Sequence, residues 1–139
     1  MPSDVFFLDA VYSIALVSAT DQHHRMAAEV AAELKAKPAR LVTTRAVLVE
    51  IGNALAKPHL RAVGIELLKS FENDPRIEIV ALDDALYRRG FELFHSRPDK
   101  AWSLTDCISF VVMRERGLSQ ALTFDQHFEQ AGFTALLRQ

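Results

Sequence analysis

Apolar residues along this chain fall into short continuous runs separated by longer stretches with helical spacing. Val5-Phe6-Phe7-Leu8 is a continuous run halted by Asp9, the signature of a strand buried on both faces of a parallel sheet. Leu41-Val42-Thr43, Ile77-Glu78-Ile79-Val80-Ala81 and Gln120-Ala121-Leu122-Thr123 read as three more strands, with a last one near 133–137. The alternation over 77–81 suits a strand nearer a sheet edge. Residues 11–17 suit a first helix. Residues 23–37 suit a second, with Met26, Val30 and Leu34 inward, Asp21 as a cap and Pro38 as its end. Thr44 caps a helix over 44–56 that turns Val47, Leu48, Ile51 and Leu55 inward and breaks near Pro58. Residues 60–71 place Val63, Leu67, Leu68 and Phe71 on one stripe before a turn at Asn73-Asp74-Pro75. A helix opening at Asp83 or Asp84 runs through Leu86, Tyr87, Phe91 and Phe94 to the Arg97-Pro98 turn, and a short helix is expected over 126–131.

The stretch from Trp102 to Arg116 carries the strongest helical pattern. Leu104, Cys107, Ile108, Val111 and Val112 repeat at helical spacing, and Phe110 and Met113 widen the stripe, so most of this helix should be buried. Ser103 suits its N-cap and Gly117 its end. Asp106 nevertheless stands in its first turn. Two readings compete: a capping box with Ser103, or a carboxylate aimed into a cleft to hold a cation.

Strands separated by helical stretches call for an α/β fold with a mostly parallel sheet. A length of 139 residues fits one domain, and 16 basic against 18 acidic side chains leave a net charge of −2. That balance gives no global basic field for nucleic acid, although a local patch remains open. The lone Cys107 has no intrachain disulfide partner, which fits a reducing cytosol. The apolar run 11–19 contains Ser13 and Ser18 and is too short for a bilayer. The expected location is cytoplasmic.

The acids then gather by topology. Asp9 ends the first strand and Asp125 follows the fourth, and ligands bind beyond the carboxyl ends of strands in open parallel sheets. Only Gly117-Leu118-Ser119 separates the 103–116 helix from the fourth strand, so the strand's far end returns towards Asp106. Glu50, in the 44–56 helix, is either a surface residue or a fourth acid reaching the same cleft. Two unit charges ~4 Å apart repel by about 4 kcal/mol at an effective dielectric near 20. Such a cluster either protonates in part or holds a cation. Oxygen ligands with no partnered Cys or His suit Mg²⁺ or Mn²⁺, and the implied chemistry is metal-assisted phosphodiester hydrolysis.

Phe7-Leu8-Asp9, Val49-Glu50-Ile51-Gly52-Asn53, Leu104-Thr105-Asp106-Cys107-Ile108-Ser109 and Leu122-Thr123-Phe124-Asp125-Gln126-His127-Phe128 together resemble the PIN-domain family. They look most like the VapC-type ribonuclease toxins of toxin–antitoxin operons. The resemblance implies a three-layer α/β/α sandwich and a Mg²⁺- or Mn²⁺-dependent endoribonuclease acting as a toxin, with transfer RNA a reasonable substrate class. It also implies a homodimer and a small antitoxin whose C-terminal segment covers the cleft. Carried over by position, Asp9, Glu50, Asp106 and Asp125 form the acidic quartet. Asp9, Asp106 and Asp125 would be the metal ligands, Glu50 would act directly or by orienting water, and Thr105 would give polar support. One departure stands out. The family often has Ser, Thr or Asn soon after the first Asp, whereas Ala10-Val11-Tyr12 follow here and Ser13 is a turn away. The source of a supporting hydrogen bond to that acid is therefore open.

Other residues carry less. His23 and His24 read as a solvated helix start, His127 as a surface residue, Trp102 and Phe128 as packing, and Asp99 as a loop cap. Asp125 also suits the N-cap of the short helix after it. Arg45, Lys100, Arg88, Arg89, Arg114 and Arg116 are basic groups available to RNA phosphates. A haloacid-dehalogenase-like phosphatase would need a second Asp where Val11 stands, and no convincing receiver-domain pattern of an acidic pair and downstream Lys is present. The competing class is a PIN scaffold that binds RNA or an antitoxin without cutting.

Overall fold

The computed structural model describes residues 4–37 and 39–138; Pro38, the expected helix breaker, lies outside them. Five parallel strands form one sheet in the order β3-β2-β1-β4-β5: β1 (Val5–Leu8), β2 (Arg40–Thr44), β3 (Ile77–Val80), β4 (Gln120–Leu122) and β5 (Thr134–Ala135). Consecutive strand residues face opposite sides of a sheet, and Phe7 and Leu8 are both buried, so both faces of β1 are covered. The expected edge strand, 77–81, is β3 at the sheet's end. The last strand is shorter than the expected 133–137.

Helices α1 (Ala10–Val17) and α2 (His24–Ala36) connect β1 to β2, and α3 (Arg45–Ala54) and α4 (Pro58–Asn73) connect β2 to β3. The chain then returns past β2 and β1 through α5 (Asp84–Ser96) and α6 (Leu104–Arg116) to β4, and α7 (Gln126–Gln130) leads to β5. Right-handed crossovers in the two opposite directions put helices on both faces of the sheet, giving the α/β/α architecture. The reversal of strand order falls between β1 and β4, and the crevice beyond their carboxyl ends is the place for a ligand.

Local chemistry explains the element boundaries. Thr44 accepts from the Val47 amide at the start of α3 and Asp83 from Leu86 at the start of α5. Gly117 closes α6 at φ 67°, a left-handed conformation, and Leu118 donates back to the Met113 carbonyl at 2.8 Å. The α3 stripe is inward as its spacing predicts, with Val47, Leu48, Ile51 and Leu55 buried.

Three helices leave apolar side chains outside the core. In α5, Leu86 and Gly90 face the core while Tyr87, Phe91 and Phe94 are exposed. The reason is a close approach to α6: a β-carbon at Gly90 would lie 2.5 Å from Ile108 Cγ1 and 3.3 Å from its Cα. The small residue therefore sets the facing side, and the aromatic rings turn outward. In α4, Gly64, Leu67 and Phe71 line the buried face and Val63 is left outside. In α2, Met26 is exposed while Val30 and Leu34 stay partly buried against the core.

Candidate active site

Asp9 is the first residue past β1. Its carboxylate is buried, 4% exposed as a residue, and Thr123 at the end of β4 donates its hydroxyl to Asp9 Oδ2 at 2.6 Å. The Asp9 amide also reaches the Leu122 carbonyl at 3.4 Å. Ser13, one turn on, donates to the Asp9 backbone carbonyl rather than to its side chain. The Ala10 backbone also supports the carboxyl, but the side-chain hydrogen bond that the residues after Asp9 do not supply comes from a neighbouring strand. Sequence reasoning missed Thr123. The available signal was a hydroxyl residue ending the strand beside β1.

Asp106 caps its helix and also faces the cleft. Ser103 Oγ accepts from the Asp106 amide at 2.9 Å, and Asp106 Oδ2 accepts from the Ser103 amide at 3.0 Å, a complete capping box. The same side chain is only 13% exposed and faces Asp125 and His127. Asp125 is likewise both a cap and a cleft acid: its Oδ1 accepts from the His127 amide at 2.9 Å, and its own amide donates to Thr123 Oγ1 at 3.0 Å. Thr123 thus links Asp9 to the turn that presents Asp125. A short polar turn holds both acids.

Glu50 is half-buried on α3 and sits close enough to Asp106 and Asp125 to feel their charge. Its carboxyl is raised above the ordinary range chiefly by desolvation, then by Asp106, with Thr105 pulling the other way. Asp106 is also raised, first by desolvation, with the Ser103 amide and His127 opposing. Asp9 is pushed up to about 7, because burial outweighs the Thr123 hydrogen bond and Asp106 and Glu50 add repulsion. All four acids thus lie near one edge of the sheet, each repelled by at least one other, but Asp9 and Glu50 fall outside the group of ligand atoms within 4.8 Å of one another that Asp106 and Asp125 help to form. A metal would relieve that repulsion. The carboxylate oxygens of Asp106 and Asp125 suit a hard divalent cation.

His127 is the correction within this cluster. It is not a free surface residue: its side chain is 23% exposed, and Nδ1 lies 2.9 Å from Asp106 Oδ2 and 3.4 Å from Asp125 Oδ1. One donor atom each from Asp106, Asp125 and His127 falls within 4.8 Å of the others. The donor set is therefore mixed oxygen and nitrogen, not oxygen alone. His23 and His24 also differ from a solvated start: His24 Nδ1 lies 2.8 Å from the Ala15 carbonyl oxygen, and His23 stacks on Phe124 at 3.9 Å. Trp102 and Phe128 are buried packing, both edge-on to Phe110. Asp99 pairs with Arg97 at 3.0 Å. Among the basic groups considered for RNA, Arg45 pairs with Glu72, Arg89 with Glu115 and Arg116 with Glu78.

The PIN-domain family model matches residues 6–134, almost the whole of this arrangement. The chain belongs to the PIN-domain family. It is 30% identical over 131 residues to the 23S rRNA-specific endonuclease VapC20 of Mycobacterium tuberculosis, covering 93% of this chain and 95% of that protein. The crystal structure of M. tuberculosis VapC20, described as a sarcin-ricin loop cleaving toxin, superimposes with a TM-score of 0.84 at 24% identity over 96% of this chain and 98% of the other. VapBC2 from Rickettsia felis, solved bound to a DNA fragment from its promoter, matches with a TM-score of 0.67 at 15% identity over 94% and 96% of the two chains. In this PIN domain, as in those structures, the fold is a parallel sheet wrapped by helices. Among the described residues no helix is long and apolar enough to cross a membrane.

Proposed function

We propose that this PIN protein is a cytoplasmic, Mg²⁺- or Mn²⁺-dependent endoribonuclease and the toxin of a toxin–antitoxin pair. The observation that carries the reading is the meeting of Asp9, Glu50, Asp106 and Asp125, drawn from separate elements, at the β1–β4 switch point. The 30%-identical relative, named as a 23S rRNA-specific endonuclease, supports RNA as the substrate. It makes a ribosomal RNA loop the first target to test, ahead of transfer RNA. Likeness to VapC-type toxins supports a small antitoxin as partner and a homodimer as the assembly.

Asp9, Asp106 and Asp125 would hold the cation. When bound, a divalent ion supplies Lewis acidity that activates water and neutralises charge on the scissile phosphodiester. Thr123 keeps Asp9 aimed at the cleft, and the capping box fixes Asp106 on rigid backbone. Glu50, with a raised carboxyl, orients the attacking water and takes its proton, and Thr105 steadies it. A base whose pKa is raised towards neutrality is better matched to that transfer.

The test is incubation of the antitoxin-free protein with total RNA and with ribosomes, with Mg²⁺, Mn²⁺ or EDTA. Asp9→Asn and Asp106→Asn serve as controls. Cleavage at discrete positions that stops with EDTA and falls at least about 100-fold in each variant is the expected result. Cleavage indifferent to EDTA and to both substitutions would overturn the mechanism. Cation binding with no cleavage of any RNA would favour the non-cutting scaffold.

A further inference from the structure

His127 lies where a divalent ion between Asp106 and Asp125 would be bound. It is presented by α7, whose N-cap is Asp125 itself, so the carboxylate and the imidazole sit two residues apart on one short turn. Asp125 Oδ1 already accepts from the His127 amide, which fixes their relative position before any ion arrives. The ring turns Nδ1, not its edge carbons, towards both acids. In the neutral ring, Nδ1 either donates its proton to those carboxylates or offers its lone pair, the proton then residing on Nε2. An ion seated between Asp106 and Asp125 would meet the lone pair.

The geometry points to His127 Nδ1 as a nitrogen ligand of the active-site cation, one that biases this PIN domain towards Mn²⁺ over Mg²⁺. The inference rests on the carboxylate metal site proposed above and adds its selectivity. Mg²⁺ demands oxygen ligands and gives up water reluctantly, whereas imidazole suits transition ions better. An all-carboxylate cleft would treat the two ions more alike. Replacing one oxygen position with nitrogen separates them. His127 would also bring no negative charge, so the ion would be held without further repulsion among the acids.

The competing role for His127 is that of a hydrogen-bond donor that only positions Asp106. His127→Asn separates the two, because its amide nitrogen reproduces the donor at the Nδ1 position but has no lone pair for a metal. Mn²⁺ bound to the full-length wild-type protein should give the ¹⁴N modulation of a directly coordinated imidazole in electron spin echo spectra. That modulation should vanish in His127→Asn. By calorimetric titration, Mn²⁺ affinity should fall about tenfold in the variant, the scale on which lost metal-site contacts act. Mg²⁺ affinity should change less than about threefold, since Mg²⁺ gains little from nitrogen.

Mn²⁺ binding without ¹⁴N modulation in the wild type would overturn the inference while leaving the carboxylate site standing. So would modulation that persists in His127→Asn, or equal losses of Mn²⁺ and Mg²⁺ affinity. Failure of the wild-type protein to bind either ion would overturn both this inference and the metal-dependent reading beneath it. The wild-type spectrum needs no variant, so misfolding of His127→Asn cannot rescue the idea.

Discussion

Thr123 Oγ1 donates to Asp9 Oδ2 across 2.6 Å and accepts from the Asp125 amide at 3.0 Å. One hydroxyl at the end of β4 therefore ties together the carboxylate after β1 and the turn that carries the next acid. Asp9 is buried, and a buried carboxylate without partners is costly to ionise. Thr123 is the side chain that lowers this cost.

Thr123→Val keeps the shape and removes that hydrogen bond. Without it Asp9 is held still further above the ordinary carboxylate range, so fewer molecules are ionised at pH 7. Mn²⁺ affinity at pH 7 should drop by about tenfold or more, and part of the loss should return at a higher pH, where more of Asp9 is ionised. Thr123→Ser should bind nearly as the wild type does. Calorimetric titration at the two pH values checks this, and unchanged affinity for Thr123→Val would remove Thr123 from the site.

Asp9 also makes stability depend on pH. Its carboxyl sits near 7 in the fold against 3.8 in the free side chain, so between those values the folded chain holds a proton that the unfolded chain has lost. Stability of the metal-free protein should therefore fall as pH rises from about 4 to about 7, by on the order of 4 kcal/mol at most. Urea unfolding in EDTA across that range measures it. Asp9→Asn should flatten the slope, and saturating Mn²⁺ should oppose the loss by binding the ionised form.

Asp106→Asn separates function from stability. The amide oxygen can still accept from the Ser103 backbone, while the repulsion with Asp125 and Glu50 disappears. The metal-free variant should melt no lower than the wild type and should gain up to about 1 kcal/mol, although cleavage is lost. Asp106→Ala, which breaks the capping box, should lose about 1 kcal/mol relative to Asp106→Asn. Differential scanning calorimetry of the three proteins gives the order, and a metal-free Asp106→Asn that melts well below the wild type would contradict it.

Gly90→Ala tests the contact that turns the aromatic rings of α5 outward. The added methyl meets Ile108 at 2.5 Å, with the α6 backbone just behind it. The helices must separate, at a cost of about 1–3 kcal/mol. A variant as stable as the wild type would argue against Gly90 being the contact that seats α5 on α6.

Much of this was legible in the chain. The continuous apolar runs marked β1, β2 and β4, and Thr44, Ser103 and Gly117 marked helix ends by their own backbone chemistry, because those signals act over a few residues. Asp9, Asp106 and Asp125 could be assigned to one edge because strand ends and short connections constrain direction. The outward rings of α5 were not legible. Apolar spacing does not say which face meets a partner, and Gly90 against Ile108 decides it. Nor could spacing reveal that His127 faces the acids.

The sequence by itself determined the parallel α/β architecture, the acids available to the cleft and their placement near one sheet edge, since local periodicity and chain direction are written in consecutive residues. Only the tertiary structure decided that Thr123 supports Asp9, that Asp106 caps its helix while facing Asp125, and that an imidazole joins the carboxylates. Those pairings lie across elements separated by up to 114 positions, where packing, not neighbourhood in the chain, fixes who meets whom.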